Sequence, residues 1–322
     1  MKKTIFYLAS AVLLTACNQN SETENLSEDN STTTVSARRS CPSEEIRSEL
    51  LKNDAGARER FANIETAVNK FQGKVLADGS VDIPVVVNVL YKSAAENISD
   101  ARIAEQIAVL NADFAGTNAD ASKIPTEFSG ISAGDTKVRF HLVKTVRKAT
   151  TKTKWATNDA MKKASSGGID ATTPSNYFNL WVVGNMGGIL GYATFPESAG
   201  LWNDGVVIAA PYFGKTGAVS PYNLGRTATH EVGHYLNLRH IWGDAACGND
   251  LVADTPTQPS ENYGKPTYPL YKSCSGTSRS VMFMNYMDYV DDGAMFMFSA
   301  GQKARSQAVL TSTGARSGLR VY

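Results

Sequence analysis

Residues His230 to His240 read His-Glu-Val-Gly-His-Tyr-Leu-Asn-Leu-Arg-His. Positions four apart on a helix share a face, so His230 and His234 can present imidazole nitrogens to one metal ion. Glu231, one residue on, falls beside the metal-bound water rather than on the metal. There it can take the water's proton and later return it to the leaving amine. His240 cannot continue the same helix, because six residues at about 1.5 Å each would carry it about 9 Å beyond His234. The chain must therefore turn sharply after Leu236, and Asn237 is the non-glycine type that best tolerates the positive φ of such a turn. The chain has 4 histidines, and three of them fall in this stretch. Structural zinc sites close four protein ligands, often Cys. Three His with a Glu placed as a base leave one position open, which points to catalytic zinc held by His230, His234 and His240. The fourth histidine, His141, lies between Phe140 and Leu142 on an expected strand and is assigned no role.

The elements that must carry these residues can be read from periodicity. Ile83 to Tyr91 is a β-branched run, hence a strand with a buried face. Ser99 is a fair N-cap for a helix with Ile103, Ile107, Leu110 and Phe114 on one side. Val138, Phe140 and Leu142 alternate with Arg139 and His141, as in a half-buried strand. Tyr177 to Val183, Ile189 to Phe195 and Gly205 to Ala209 read as three more. This order predicts an α/β fold, a mixed sheet with helices packed on it. After about Asn237 the chain turns loop-rich, with Pro256, Pro259, Pro266 and Pro269, and no internal repeat is present.

The 322 residues carry a net charge of +1, from 32 Lys and Arg against 31 Asp and Glu. That balance gives no electrostatic reason to expect nucleic acid or an anionic membrane surface as a partner. No Gly-rich phosphate loop occurs. Lys2 and Lys3 precede an apolar run from Ile5 to Leu14, followed by Thr15, Ala16 and Cys17. A basic start, a short apolar stretch and small residues describe a secretory signal over residues 1–16. Cys17 resembles the lipidated cysteine of a bacterial lipobox, so membrane attachment is expected through a lipid anchor alone. The mature protein is expected to be exported, anchored to a bacterial membrane at its periplasmic or surface face, or secreted, and to act as a monomer. Residues 17–40, rich in Ser, Thr, Asn and Glu, cannot bury enough surface to order themselves and read as a tether. Residues 41–74 look helical, with Ile46, Leu50 and Leu51, then Phe61, Ile64, Val68 and Phe71, at helical spacing. They make a poor domain but a plausible pro-segment lying across the catalytic domain of residues 75–322.

At this point the chain resembles the pappalysin or cytophagalysin-type branch of the metzincin peptidases. Besides the zinc motif, Asn285-Tyr286-Met287-Asp288-Tyr289 resembles the family's Met-turn. The run through Asp291, Asp292, Met297, Phe298 and Gln302 resembles the entry to its C-terminal helix. Gly191-Tyr192-Ala193 and Asp204-Gly205-Val206-Val207 match the usual spacing ahead of the zinc helix. Asn237 departs from the glycine that metzincins place at the turn.

The resemblance implies a metzincin-like catalytic domain with upper and lower subdomains around a zinc cleft, hydrolysing internal peptide bonds with zinc-activated water. It implies that Met287 forms the floor beneath the metal and that Tyr289 donates a hydrogen bond to the tetrahedral oxyanion. Gly191, Tyr192 and Ala193 would form the rim that binds an extended peptide by β-augmentation. Relatives that prefer a basic residue after the cut direct attention to Asp291 and Asp292.

Of the 4 cysteines, Cys247 and Cys274 are expected to pair across the loop after His240, as an exported protein permits. Cys41 is then the odd thiol, placed to fill the open zinc position as a cysteine switch. Asp244, Asp250, Asp254, Thr255 and Thr257 form an oxygen-rich loop, and a structural calcium is expected there, with Asp254 and Thr257 among its ligands. The reading is a lipid-anchored zinc endopeptidase made as a zymogen. The alternatives are a zinc amidase acting on cell-wall peptides and an inactive, peptidase-like binding lipoprotein.

Overall fold

Five strands form one sheet in the order β2-β1-β3-β5-β4: β1 Val81–Tyr91, β2 Val138–Ala149, β3 Phe178–Val183, β4 Gly191–Ala193 and β5 Val206–Ala209. The structure, a computed structural model, describes residues 38–70 and 80–319. The expected signal, Cys17 and most of the expected tether lie outside the described residues. So does the expected boundary between pro-segment and catalytic domain near residue 74.

The sheet is parallel except for β4, which runs antiparallel to β5 and forms an edge. Parallel sheets are covered on both faces, and β1 shows why the sequence suits this. Its Ile83, Val85, Val87 and Val89 pack into one core with Phe178, Leu180, Val182, Val206 and Ile208. Leu90 enters a second core with Trp181, Val183, Val207 and Ala209 on the other face. Alternation along each strand thus divides apolar residues between two layers.

On the first face lie α3 (Asp100–Ala115) and α5 (Arg226–Tyr235), with a single turn, α4 (Thr126–Ser129), between them in the chain. Ser99 caps α3 as expected, its hydroxyl accepting from the Arg102 amide at 3.2 Å. The second half is mostly irregular, holding the hairpin β6 (Tyr271–Cys274) and β7 (Thr277–Ser280) before α6 (Ala300–Leu310). Ser299 and Gln302 close α6 with a capping box.

Ahead of the sheet lie α1 (Ser43–Asn53) and α2 (Ala55–Lys70), packed against the rest of the chain. They match the expected helical segment, but two expectations nearby need correction. Arg39 does not belong to a tether: it is 1% exposed and bound by the second half of the chain. Leu142 is exposed although it still pairs with Val85; the extra residue at the register shift between Val85 and Val86 is Val143, so the buried alternation of β2 ends at Phe140, ahead of the shift.

Candidate metal centre

Every residue of α5 is buried, and the helix delivers His230, Glu231 and His234 beneath the sheet's edge. Its start is held by Asp292, whose Oδ2 accepts from the amides of Leu224 (2.8 Å) and Arg226 (3.2 Å). A carboxylate there complements the positive end of the helix. Its far end is closed by Arg316, which donates to Tyr235 O at 2.6 Å and ion-pairs with Asp204 at 2.7 Å. The chain then turns at Asn237, with φ 77°, and brings His240 back.

Three imidazole nitrogens converge: His234 Nε2 lies 3.2 Å from His230 Nε2 and 3.1 Å from His240 Nε2. Each ring is held from behind. His230 Nδ1 faces Tyr286 O at 2.7 Å and His234 Nδ1 faces Leu238 O at 2.8 Å. A carbonyl only accepts, so these Nδ1 atoms carry the protons and both Nε2 lone pairs point into the common space. His240 Nδ1 meets Asp244 at 2.5 Å, which orients it in the same way. Burial, then the neighbouring imidazoles, holds His230 and His234 well below the usual histidine pKa, so both stand neutral. Three lone pairs aimed at one point repel one another unless a cation lies between them. Their spacing suits a zinc ion with nitrogen ligands at about 2.0–2.1 Å.

Cys41 completes the group: its Sγ and the three histidine nitrogens all lie within 4.8 Å of one another. Burial pushes its thiol up, and nearby Glu231 adds to that. Glu231 Oε2 accepts from Cys41 Sγ and from Ser43 Oγ, both at 3.1 Å. Burial raises its carboxyl to about 7. Ser43 Oγ also accepts from Ala193 N at 2.8 Å, tying the N-terminal segment to the rim strand.

Tyr289 faces the group from the other wall, donating to Cys41 O at 3.0 Å and accepting from Cys41 N at 3.1 Å. Met287 is fully buried, and a Cβ on Gly233 would lie 2.4 Å from its Sδ. The Met-turn therefore packs directly under the helix bearing His230 and His234. Within β4, Gly191 lies against Glu231, where a Cβ would meet its Cγ at 3.1 Å. Tyr192 turns its side chain away, its hydroxyl on Asp159 at 2.8 Å, which leaves only its main chain near the cleft.

The family model described as pregnancy-associated plasma protein-A matches residues 170–311. An extracellular metalloprotease of Pyricularia oryzae is 32% identical over 275 residues, covering 84% of this chain and 87% of its own. Another, from Uncinocarpus reesii, is 34% identical over 217 residues, covering 65% and 67%. This chain belongs to the pappalysin family of zinc metalloproteases. Among solved structures, promirolysin of Tannerella forsythia superposes with a TM-score of 0.81 at 38% identity, covering 88% of this chain and 98% of promirolysin. Mature mirolysin in complex with a cleaved peptide gives 0.73 at 41%, covering 76% and 96%. The mixed sheet and the histidine group are thus those of a metzincin-type zinc hydrolase.

The pappalysin cleft holds further residues that sequence reasoning did not single out. Ser43, Glu197 and Trp242, whose ring stacks on His240 at 4.3 Å, carried no signal in their spacing. Asp244 was placed with the calcium loop, and the structure turns it onto His240 instead. Among the described residues, no second set of three His, Cys, Asp or Glu gathers as metal ligands. Asp254 accepts from Ser299 Oγ (2.6 Å) and Gly301 N (2.7 Å) at the start of α6, while Thr257 is exposed. Cys247 and Cys274 are bonded, with Cα atoms 5.7 Å apart, and Cys41 is free.

Proposed function

We propose that this metalloprotease is an exported endopeptidase made as a latent precursor, with residues 41–74 as its pro-segment and residues 75–322 as its catalytic domain. One observation carries the reading: Cys41 sits in the histidine group, its sulfur and the three ring nitrogens within 4.8 Å of one another. A thiolate there is a strong ligand, and a cation among the histidines would reverse the upward push that burial gives its pKa. The pro form of mirolysin matches more of this chain than the mature form does, which supports an N-terminal segment of this kind. Export draws support from the extracellular naming of the relatives.

A zinc ion held by His230, His234 and His240 would polarise a peptide carbonyl and acidify a water. With Cys41 gone, Glu231 would be free to take a proton from the attacking water and return it to the leaving amine. Tyr289, released from Cys41, donates to the carbonyl oxygen as it gains charge. The edge of β4 from Gly191 to Ala193 offers main-chain groups to an extended peptide. A mirolysin structure with a cleaved peptide bound supports polypeptide as substrate here. Asp292 binds Arg39, two residues ahead of Cys41, at 2.6 Å, and this supports a pocket for a basic side chain after the cut.

Hydrolysis of a quenched casein-derived peptide, measured before and after proteolytic removal of the pro-segment, tests the reading. Activity should appear on removal and vanish with chelator. A precursor as active as the processed protein, or processed protein indifferent to chelator, overturns it. A parallel assay on peptidoglycan separates this reading from a cell-wall amidase.

Two finer parts need their own tests. Lipid attachment at Cys17 rests on the sequence pattern, and Cys17→Ser should move the protein out of the membrane fraction or leave it unprocessed. Calcium at Asp254 and Thr257 rests on the oxygen-rich composition of the loop. A rise in melting temperature with added calcium would revive it.

A further inference from the structure

We propose that Glu197 forms a second basic subsite in the mature cleft, so that the enzyme selects arginine on both sides of the bond it cuts. The proposal deepens the endopeptidase reading and rests on it.

The chain runs from Arg39, just ahead of the pro-segment, through Cys41 at the histidines, past Ser43 on the rim strand, to Arg47 in α1. Arg39 and Arg47, at the two ends of this stretch, are held alike. Arg39 Nη2 lies 2.6 Å from Asp292 Oδ1, with its guanidinium 4.9 Å from the Tyr222 ring centre. Arg47 gives Nε (2.9 Å) and Nη2 (2.6 Å) to Glu197 Oε1, with its guanidinium 4.3 Å from the Phe195 ring centre. Each site pairs a fully buried carboxylate with an aromatic face. Phe195 follows the rim strand, its ring centre 5.1 Å from that of His234, and Arg39 and Arg47 lie on opposite sides of Cys41 in the chain, so the second site borders the cleft on the side opposite Asp292.

Glu197 also has capacity to spare: its Oε2 is buried with no hydrogen-bond partner. Among the described residues, the one ion pair Glu197 makes is with Arg47, since Arg316 nearby is engaged by Asp204, and Arg60 reaches the Glu197 main-chain carbonyl. When the pro-segment leaves, the carboxylate loses that cation. The vacated carboxylate, still beside the Phe195 ring, is then free to take a cation from the substrate in Arg47's place. A carboxylate beside an aromatic face suits a planar guanidinium better than an ammonium.

The test profiles processed enzyme against peptides carrying Arg, Lys or citrulline at each position on both sides of the cut. Arginine should be enriched on both sides, and citrulline at the Glu197 position should lower kcat/KM at least about tenfold. Glu197→Gln should erase the preference on that side and leave the Asp292 side unchanged. A wild-type profile without cation preference there, or a Glu197→Gln profile like the parent's, overturns the proposal.

A second measurement leaves Glu197 and the protein core intact, so that a folding or processing defect of Glu197→Gln does not decide the outcome. A synthetic peptide of residues 38–53 is titrated against processed, zinc-loaded Glu231→Ala protein, with Arg47 present or replaced by citrulline. Citrulline should weaken binding at least about tenfold, and equal affinities overturn the subsite. This binding needs no turnover, so a failed endopeptidase reading and a failed subsite give different results.

Discussion

Gly233 and Met287 meet with no room for a side chain on the glycine: a Cβ there would lie 2.4 Å from the sulfur. Alanine is the better helix former by about 1 kcal/mol, so Gly233→Ala would stabilise a helix packed loosely at this point. The contact predicts the opposite. Overpacking against the fully buried Met287 should lower stability by about 1–3 kcal/mol and reduce zinc occupancy. Thermal unfolding and metal content of the purified variant check this, and a higher melting temperature would refute it.

Glu231→Ala should reduce peptidase activity by about 10²–10⁴-fold or more while zinc stays bound, because the carboxylate faces Cys41 and Ser43 rather than the histidine nitrogens. Metal analysis beside kcat separates a lost base from a lost ligand. Parent-like activity in the metal-loaded variant would remove Glu231 from the mechanism.

The metal site was legible in the sequence because it is local: His230, Glu231 and His234 share one helix, and His240 follows a single turn whose Asn237 has the expected positive φ. The ion pairs holding the pro-segment and the residues just ahead of it were not legible, since Arg39–Asp292, Arg47–Glu197 and Arg305–Glu65 join distant parts of the chain. No periodicity encodes such a pairing. Leu142 was misread for a related reason. Whether a strand residue is covered depends on what packs over that point of the sheet, whereas alternation is read from the strand alone.

Cys41→Ala should yield a precursor that is active earlier, or processes itself faster, than the parent. The ion pairs of Arg39, Arg47 and Glu65 remain in this variant, so the block should be partial rather than absent. A time course of peptide hydrolysis beside gel analysis of processing reads both effects. Latency equal to the parent's would assign the block to helical bulk and charge pairing alone.

Removing the metal should abolish hydrolysis and lower the melting temperature, since the ion binds the folded state and its loss leaves three imidazole lone pairs facing one another. At a free zinc concentration 100-fold above Kd the ion contributes about 2.7 kcal/mol. Calorimetry after chelation, then with zinc restored, checks the size and reversibility of the shift.

Replacing Cys247 and Cys274 together by Ala should destabilise the protein by about 3–4 kcal/mol on the chain-entropy account, for a sequence separation of 27. Denaturant unfolding of the double variant gives the figure, and a loss under 1 kcal/mol would show that the loop is held by its other contacts.

The free edge of the sheet sets what this peptidase can reach. β4 spans three residues, Gly191 to Ala193. At about 3.4 Å per residue it is a splint of only about 10 Å for an incoming main chain. A helix cannot lie along it, because its own N–H and C=O groups are already paired with one another. Tails, loops and denatured chains can. Susceptibility of a folded protein would then follow how often one of its segments comes undone, so stability of the target, as much as its sequence, would decide where the cut falls.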